Sequence, residues 1–169
     1  MEVNLTKANI TNVATGEVLE VLFNPSEYVL SKQVIYSERT AVGKSTSYVQ
    51  FSSGRRRQLR VELFFDTTDS GEDVSKYTDT LQSFMEVSSA GDGGPSNPVL
   101  LFAWGSLNFK CVLEDLKLQF TKFGPDGTPY RVIARTVFSE YVKLGDDTEA
   151  ASDSSAASPA GALSSTPKL

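Results

Sequence analysis

The feature that most constrains the fold of this chain is a pair of long strand-forming segments, 109–121 and 130–141. Both are rich in β-branched and aromatic residues, which favour extended strands. Residues 124–129, which lie between them, contain two glycines and two prolines and are typical of a turn. We predict a β-hairpin, called the ribbon below. At about 3.3 Å per residue its arms reach roughly 40 Å, about twice the usual strand length.

The first arm of the ribbon changes its alternation at Glu114 and Asp115. Up to Leu113 the apolar residues occupy odd positions, and from Leu116 to Phe120 they occupy even positions. We predict a β-bulge here, because one extra residue in a strand produces such a change. The bent ribbon either curls over the core of its own domain or packs on neighbouring subunits.

Upstream of the ribbon, the pattern predicts five further strands and one helix. The clearest strand is 58–65, in which apolar and polar residues alternate. The helix carries an apolar stripe with helical spacing from Val74 to Met85. Glu72 and Asp73 lie where a cap and favourable dipole charge belong. The other strands are 5–13, 17–23, 27–37 and 98–104. The stretch 39–54 is rich in Ser, Thr, Gly and Lys, and it is expected to be a mobile loop or a second, exposed hairpin arm. The predicted class is mainly β with one helix (α+β), as an antiparallel barrel or sandwich.

Length and composition indicate one domain with a single core. The 169 residues are 40% hydrophobic, which suffices for one core of this size. The segment 145–169 consists mostly of Ala, Ser, Asp, Pro and Thr and has few large apolar residues. We therefore expect a folded domain over 1–144 and a disordered tail over 145–169.

The charge balance narrows the class of partner. A net charge of -5 and a pI near 4.8 argue against nucleic acid as the main partner, because phosphate binding needs a basic surface. No stretch approaches the ~20 apolar residues of a membrane span, and the N-terminus shows no signal peptide. We expect a chain that folds in the cytoplasm and does not insert into a membrane.

The sequence offers little for catalysis. It contains no histidine, so the commonest general base and transition-metal ligand is missing. The single Cys111 lies in a predicted strand and is expected to be a buried hydrophobe.

Residues 43–46 (Gly-Lys-Ser-Thr) resemble the end of a phosphate-binding loop, but the glycine needed five positions earlier is Glu38. A calcium loop starting at Asp66 fails at position twelve, which is Tyr77. We predict no enzyme activity, no cofactor and no metal; a small β-barrel enzyme or ligand-binding protein is the alternative class.

Four stretches, in their order and spacing, resemble the tube-like domain of phage-derived contractile injection systems. They are 23–28 (Phe-Asn-Pro-Ser-Glu-Tyr), 54–67, 98–105 and 116–129. Over residues 2–144 the chain is similar to the inner baseplate protein that joins the spike to the inner tube in extracellular particles. The resemblance implies a phage tail-tube fold: an antiparallel β-barrel with a flanking helix and long hairpins.

The resemblance also implies a structural role as a homohexameric ring, the tube initiator between the spike hub and the inner tube. The implied partners are further copies of the chain, the spike or hub protein, the inner tube protein, and sheath or baseplate wedge proteins. Assembly is expected in the cytoplasm, as part of a phage-tail-like particle that is released or retained. The close alternative is the main inner-tube subunit. Family members often continue into a LysM-like domain, which is not expected here because 145–169 has another composition.

The expected subunit interface combines the ribbon with the polar stretch 42–54 and the three arginines that follow it. An isolated run of arginines in an acidic protein is more typical of a protein interface or a solvated edge than of a nucleic-acid site. The predicted interface residues are Tyr48, Phe51, Arg55, Arg56, Arg57, Leu118, Phe120, Phe123 and Tyr130.

Overall fold

The computed structural model describes residues 5–39, 48–87 and 96–143. These residues form nine strands and one helix. In chain order they are β1 (Asn9–Asn12), β2 (Val18–Glu20), β3 (Tyr28–Ser31), β4 (Val34–Arg39), β5 (Tyr48–Gly54), β6 (Gln58–Asp66), α1 (Ser75–Ser83), β7 (Leu100–Trp104), β8 (Leu107–Phe123) and β9 (Pro129–Glu140). Three features expected from the sequence lie outside the described residues. They are the loop residues 42–47, the motif at 43–46 and the tail at 145–169.

Seven of the strands form one antiparallel sheet with the ribbon at its centre. The order is β2-β1-β7-β8-β9-β6-β3. The ribbon arms, β8 and β9, are 17 and 12 residues long, which confirms the predicted long hairpin. Its turn places Gly127 at a φ of 86°, a left-handed conformation that glycine adopts without strain. The mainly β class with one helix is also confirmed.

The sheet does not close into the expected barrel. Its outer strands, β2 and β3, are connected only through the chain segment 21–27, from which one isolated bridge links Phe23 to Phe64 on β6. The physical reason is the corner at 24–25. The Asn24 side chain accepts a hydrogen bond from the Ala8 amide (3.0 Å) and donates one to the Thr6 carbonyl (2.9 Å), which ties this corner to the N-terminal segment. Pro25 has no amide hydrogen to donate to a ladder. The barrel prediction is therefore wrong for the single subunit, whose sheet is open.

The core lies on one face of this sheet and under α1. On β6 the residues Leu59, Val61, Leu63 and Phe65 are buried, as the alternation predicts. Helix α1 covers one end of the core, where the rings of Phe65 and Tyr77 stack at 5.1 Å between centroids. The buried apolar residues from the other elements include Ile10, Val21, Val74, Leu81, Phe84, Leu100, Phe102, Phe109, Cys111, Leu113, Val132, Ala134 and Phe138.

The predicted bulge is present at Glu114. Leu113 pairs with Phe138 and Asp115 pairs with Val137, so Glu114 is the extra residue of β8. Since one residue is skipped, Leu116 faces the same side as Leu113 and packs partly buried against the core. The bulge therefore extends the core face along the ribbon.

The strand predicted over 27–37 is in fact two strands in two different sheets. Residues of β3 pair with β6 until Ser31 reaches Gln58, where β6 begins. Beyond that point the main sheet offers no described strand for the chain to pair with, and β4 pairs with β5 in a separate two-stranded sheet. The exposed hairpin arm, one of the two predictions for this region, is the correct one for β5.

Asp66 provides a pH-dependent link between β6 and β9. It accepts hydrogen bonds from Thr68 and from the Nε and Nη2 atoms of Arg131 (2.8 and 2.6 Å). The hydrogen bonds from Thr68 first, and those from Arg131 next, lower the pKa of Asp66 to about 2. We expect Asp66→Asn to cost about 1–2 kcal/mol of unfolding free energy at pH 7.

A depressed folded-state pKa stabilises the fold above the unfolded pKa of about 4, and this contribution is lost as the pH falls towards 2. Thermal unfolding of Asp66→Asn and the unchanged chain should therefore differ at pH 7 and converge near pH 2. An equal difference at both pH values would contradict the assignment.

Candidate subunit interface

The hairpin of β4 and β5 projects from the main sheet with one apolar face. Counting along the register, this face carries Glu38 and four apolar residues, Val34, Tyr36, Val49 and Phe51. The four apolar side chains are 41–64% exposed, and the rings of Tyr36 and Phe51 meet edge to face at 6.3 Å. Isolated two-stranded hairpins are marginally stable in water, and exposed apolar patches of this kind mark interaction sites. We call this surface the hairpin face.

The opposite side of the same hairpin is more polar. On this side the Ser37 Oγ atom donates a hydrogen bond to the Gln50 carbonyl oxygen at 3.4 Å. The same side carries Tyr48 and Ile35, and Ile35 is 39% exposed. Of the two predicted residues on β5, Phe51 therefore lies on the hairpin face and Tyr48 lies on the other side.

The outer half of the ribbon presents a second apolar surface and an open strand edge. Leu118 is half-buried, Phe120 is 37% exposed and Phe123 is 58% exposed. Within the described residues, β7 pairs with β8 only from Leu107 to Cys111, so the rest of β8 pairs with β9 alone. An open edge with apolar residues is a template for pairing with another strand. We call this surface the ribbon edge.

Tyr130 has a structural role at the tip of the ribbon. Its ring packs so closely on Gly124 that a Cβ atom there would lie 2.8 Å from it. The Gly124 amide donates to the Thr128 carbonyl at 2.8 Å, which closes the turn. The role of Tyr130 in a subunit interface stays a prediction.

Arg57 is engaged within the subunit. Its Nε and Nη2 atoms donate to Glu140 Oε1 at 2.8 and 2.5 Å, and its guanidinium lies 5.6 Å from the centre of the Phe109 ring. This hydrogen bonding lowers the pKa of Glu140 and raises that of Arg57, so both remain charged. Arg57 thereby fastens the start of β6 to the end of β9.

Arg55 and Arg56 are placed differently from Arg57. Both are exposed and line a groove at the base of the hairpin, and neither forms an ion pair with another described residue. The sequence alone does not distinguish the three arginines. In the structure Arg57 is paired within the subunit, whereas Arg55 and Arg56 are available to a partner.

This difference predicts unequal effects of two alanine substitutions. We expect Arg57→Ala to lower the unfolding free energy by about 1 kcal/mol, because the pair is partly exposed and its energy is screened by water. Arg55→Ala should change it by less than about 0.5 kcal/mol. Urea unfolding of the two variants measures both values, and equal losses would contradict the assignment.

The predicted residues lie in two groups at opposite ends of β6. The hairpin and the arginines adjoin Gln58, where β6 begins, whereas the outer ribbon lies towards Asp66, where β6 ends and bonds Arg131. At about 3.3 Å per residue, the nine residues of β6 separate the groups by roughly 27 Å. One subunit therefore carries two unlike surfaces.

Three residues of the hairpin face, Val34, Tyr36 and Val49, were not among the interface residues expected from the sequence. The signal was the alternation at 34–38, which was assigned to a single strand of the main sheet. Glu140 was not expected either. It lies 83 residues from Arg57 in the sequence, and only the pairing of strands in the sheet brings the two together.

The structure gives no sign of reactive chemistry in its described part. Cys111 is buried as predicted, and burial raises the pKa of its thiol to about 12. Such a thiol stays protonated and is a poor nucleophile. The described ranges contain no group of three or more His, Cys, Asp or Glu side chains placed to hold a metal ion. Among the same residues, no helix is long and apolar enough to cross a membrane.

Comparison with known families gives the class of this protein. Residues 1–149 match the family described as Contractile injection system tube protein. The chain belongs to this family. The tube family is structural, and its members are components of phage-tail-like particles, which agrees with the coarse prediction from the sequence.

The chain is also similar to one curated protein whose description is not that of a tube protein. The chain is 27% identical over 100 residues to the HTH-type transcriptional regulator PchR of Bacillus subtilis (strain 168), a match that covers 58% of this chain and 59% of that protein. The chain thus spans about three fifths of that relative. A helix-turn-helix needs two adjacent helices, whereas the described residues contain α1 alone.

Proposed function

We propose that this tube-family protein forms a homohexameric ring in the axial tube of a contractile injection system. The observation that carries the proposal is the pair of unlike surfaces, the hairpin face and the ribbon edge, at opposite ends of β6. When one surface of a subunit binds a different surface of the next, the contact is heterologous, and it produces a closed ring if the rotation closes.

Strand pairing gives this contact a physical basis. The ribbon edge has backbone groups that no described strand pairs with, and the hairpin of the next subunit has an apolar face to bury. Contact between the ribbon edge of one subunit and the hairpin of the next would pair the free backbone groups of the edge. The same contact would remove the apolar hairpin face from water. The open sheet of the subunit would then continue into its neighbour.

The position proposed for the ring is the junction between the spike hub and the inner tube, as a tube initiator of the inner baseplate. The similarity of 23–28, 54–67, 98–105 and 116–129 to the inner baseplate protein supports this position. The axial partners would be the spike or hub protein and the inner tube protein, with sheath or baseplate wedge proteins outside. Assembly would occur in the cytoplasm before any release of the particle.

The second candidate is the repeating inner-tube subunit of the same particle. The family description favours it, because it names a tube protein. A repeating subunit must bind copies of itself above and below, whereas an initiator binds a different protein on each side. The ligand-binding barrel is not favoured, because the family is structural.

Copy number distinguishes the two candidates. The protein would be tagged in its producing cell, purified with its partners, and examined by electron microscopy and quantitative mass spectrometry. About six copies in each rod-shaped particle would identify the initiator, and about a hundred or more would identify the repeating subunit. A lone subunit from cells that make sheath, tube and spike proteins would contradict both.

A further inference from the structure

The groove at the base of the hairpin is strongly basic. It consists of two adjoining depressions of about 740 and 410 Å³, and both are bounded by Gly54, Arg55 and Arg56. Volumes of this order can hold a small ligand or a few residues of a peptide. The cations that line the two depressions are Lys32, Arg55, Arg56, Arg60 and Lys143.

The acidic residues of the groove already have partners. Glu140 binds Arg57, and Glu114 accepts a hydrogen bond from the Gln58 side chain at 3.1 Å. Within the described residues, Arg55, Arg56 and Lys143 form no ion pair. Glu140 is neutralised by Arg57, so Glu114 alone opposes the five cations, and the groove keeps a net positive charge on a chain whose net charge is -5. Its chemistry suits a peptide segment rich in carboxylates.

Such a segment follows directly in the sequence. The described chain ends at Lys143, which itself lines the groove, and Asp146, Asp147 and Glu149 come next. Three residues can span up to about 10 Å and six residues about 20 Å, so these carboxylates are within reach of Arg55 and Arg56. We propose that the acidic segment 146–149 binds in the basic groove of its own subunit.

Tethering makes binding within the chain more favourable than binding of a free peptide. Exposed ion pairs are individually weak, but a short flexible connection gives the segment an effective concentration in the millimolar range. Contacts of this kind are screened by salt, with a screening length of about 3 Å at 1 M. The bound segment should therefore leave the groove at high ionic strength.

A consequence for assembly rests on the proposed function. That function places the hairpin, with the groove at its base, at a contact with the neighbouring subunit. The acidic segment and the neighbour then compete for the same groove, so the segment slows ring formation by free subunits.

The binding is tested on the full-length chain by NMR, at a concentration where it is monomeric. The variant D146N/D147N/E149Q should shift the amide signals of Lys32, Gly54 and Arg55 relative to the unchanged chain. About 1 M NaCl should abolish the difference. The control E17Q/D79N/E86Q removes three exposed acidic charges from other surfaces and should leave those signals in place.

Several outcomes would overturn the proposal. Unchanged groove amides in the D146N/D147N/E149Q variant would exclude the contact. Shifts in the unchanged chain that grow with protein concentration would assign the groove to a second copy instead.

Assembly is measured separately by light scattering, and the neutralised variant should form rings faster than the control. If neither variant forms rings, the proposed function fails while the NMR result on the monomer still decides the binding.

Discussion

Replacing Tyr36 and Phe51 with serine is expected to abolish formation of the proposed ring and to leave a folded 18.4 kDa monomer. The two side chains are 59% and 61% exposed and form the centre of the hairpin face. Burying both in a neighbour is worth about 3 kcal/mol for each contact, at the usual value for apolar surface. This amounts to more than a hundredfold in each association constant, and a ring repeats the loss at every contact.

The monomer should stay folded because the hairpin lies outside the main sheet and its core. Sedimentation velocity would report a change from about 110 kDa, the mass of the proposed six-subunit ring, to that of one subunit. Circular dichroism and the fluorescence of Trp104 would report the fold.

The matched control for this variant is S37A/Q50S, which changes two residues on the other side of the same hairpin. It should form rings like the unchanged chain. If the Y36S/F51S variant also forms rings, the hairpin face is not part of the interface.

Two single-residue deletions in β8 should lower stability by unequal amounts. Deleting Glu114 removes the extra residue of the bulge and leaves the pairs Leu113–Phe138 and Asp115–Val137 as they are. The strand becomes regular and every side chain keeps its face, so we expect a loss of less than about 1 kcal/mol.

Deleting Lys117 should cost about 3 kcal/mol. If the bulge stays, Leu118 and Phe120 turn to the opposite face, where Arg135 and Glu62 form an ion pair. If the bulge is lost instead, Asp115 takes the place of Leu116 opposite Thr136 and against the core. Either arrangement exchanges apolar burial for a polar group, at about 1.5–3 kcal/mol for each large side chain.

Urea unfolding of the two deletion variants, with Lys117→Ala as a control that keeps the chain length, would measure these effects. Lys117 is 73% exposed, so its truncation alone should change stability little. Equal losses from the two deletions would mean that the bulge does not set the faces of the ribbon.

The local pattern of side chains was enough to predict the ribbon, its bulge and the buried face of β6. These features depend on alternation, and alternation is a property of neighbouring residues in one strand. The parity change between Leu113 and Leu116 located the bulge because both residues must face the same core. The helix was predictable for the same reason, since its apolar stripe from Val74 to Phe84 packs on one surface.

The tertiary structure alone decided which strand pairs with which, and hence where the candidate interface surfaces lie. The pattern at 27–37 reads as one strand, but the length of β6 ends its pairing at Ser31 and sends β4 into a separate hairpin. The three arginines are alike in sequence, yet Glu140 from β9 engages Arg57 and leaves Arg55 and Arg56 to line the groove. Pairing between distant strands depends on contacts across the whole sheet, which no local pattern contains.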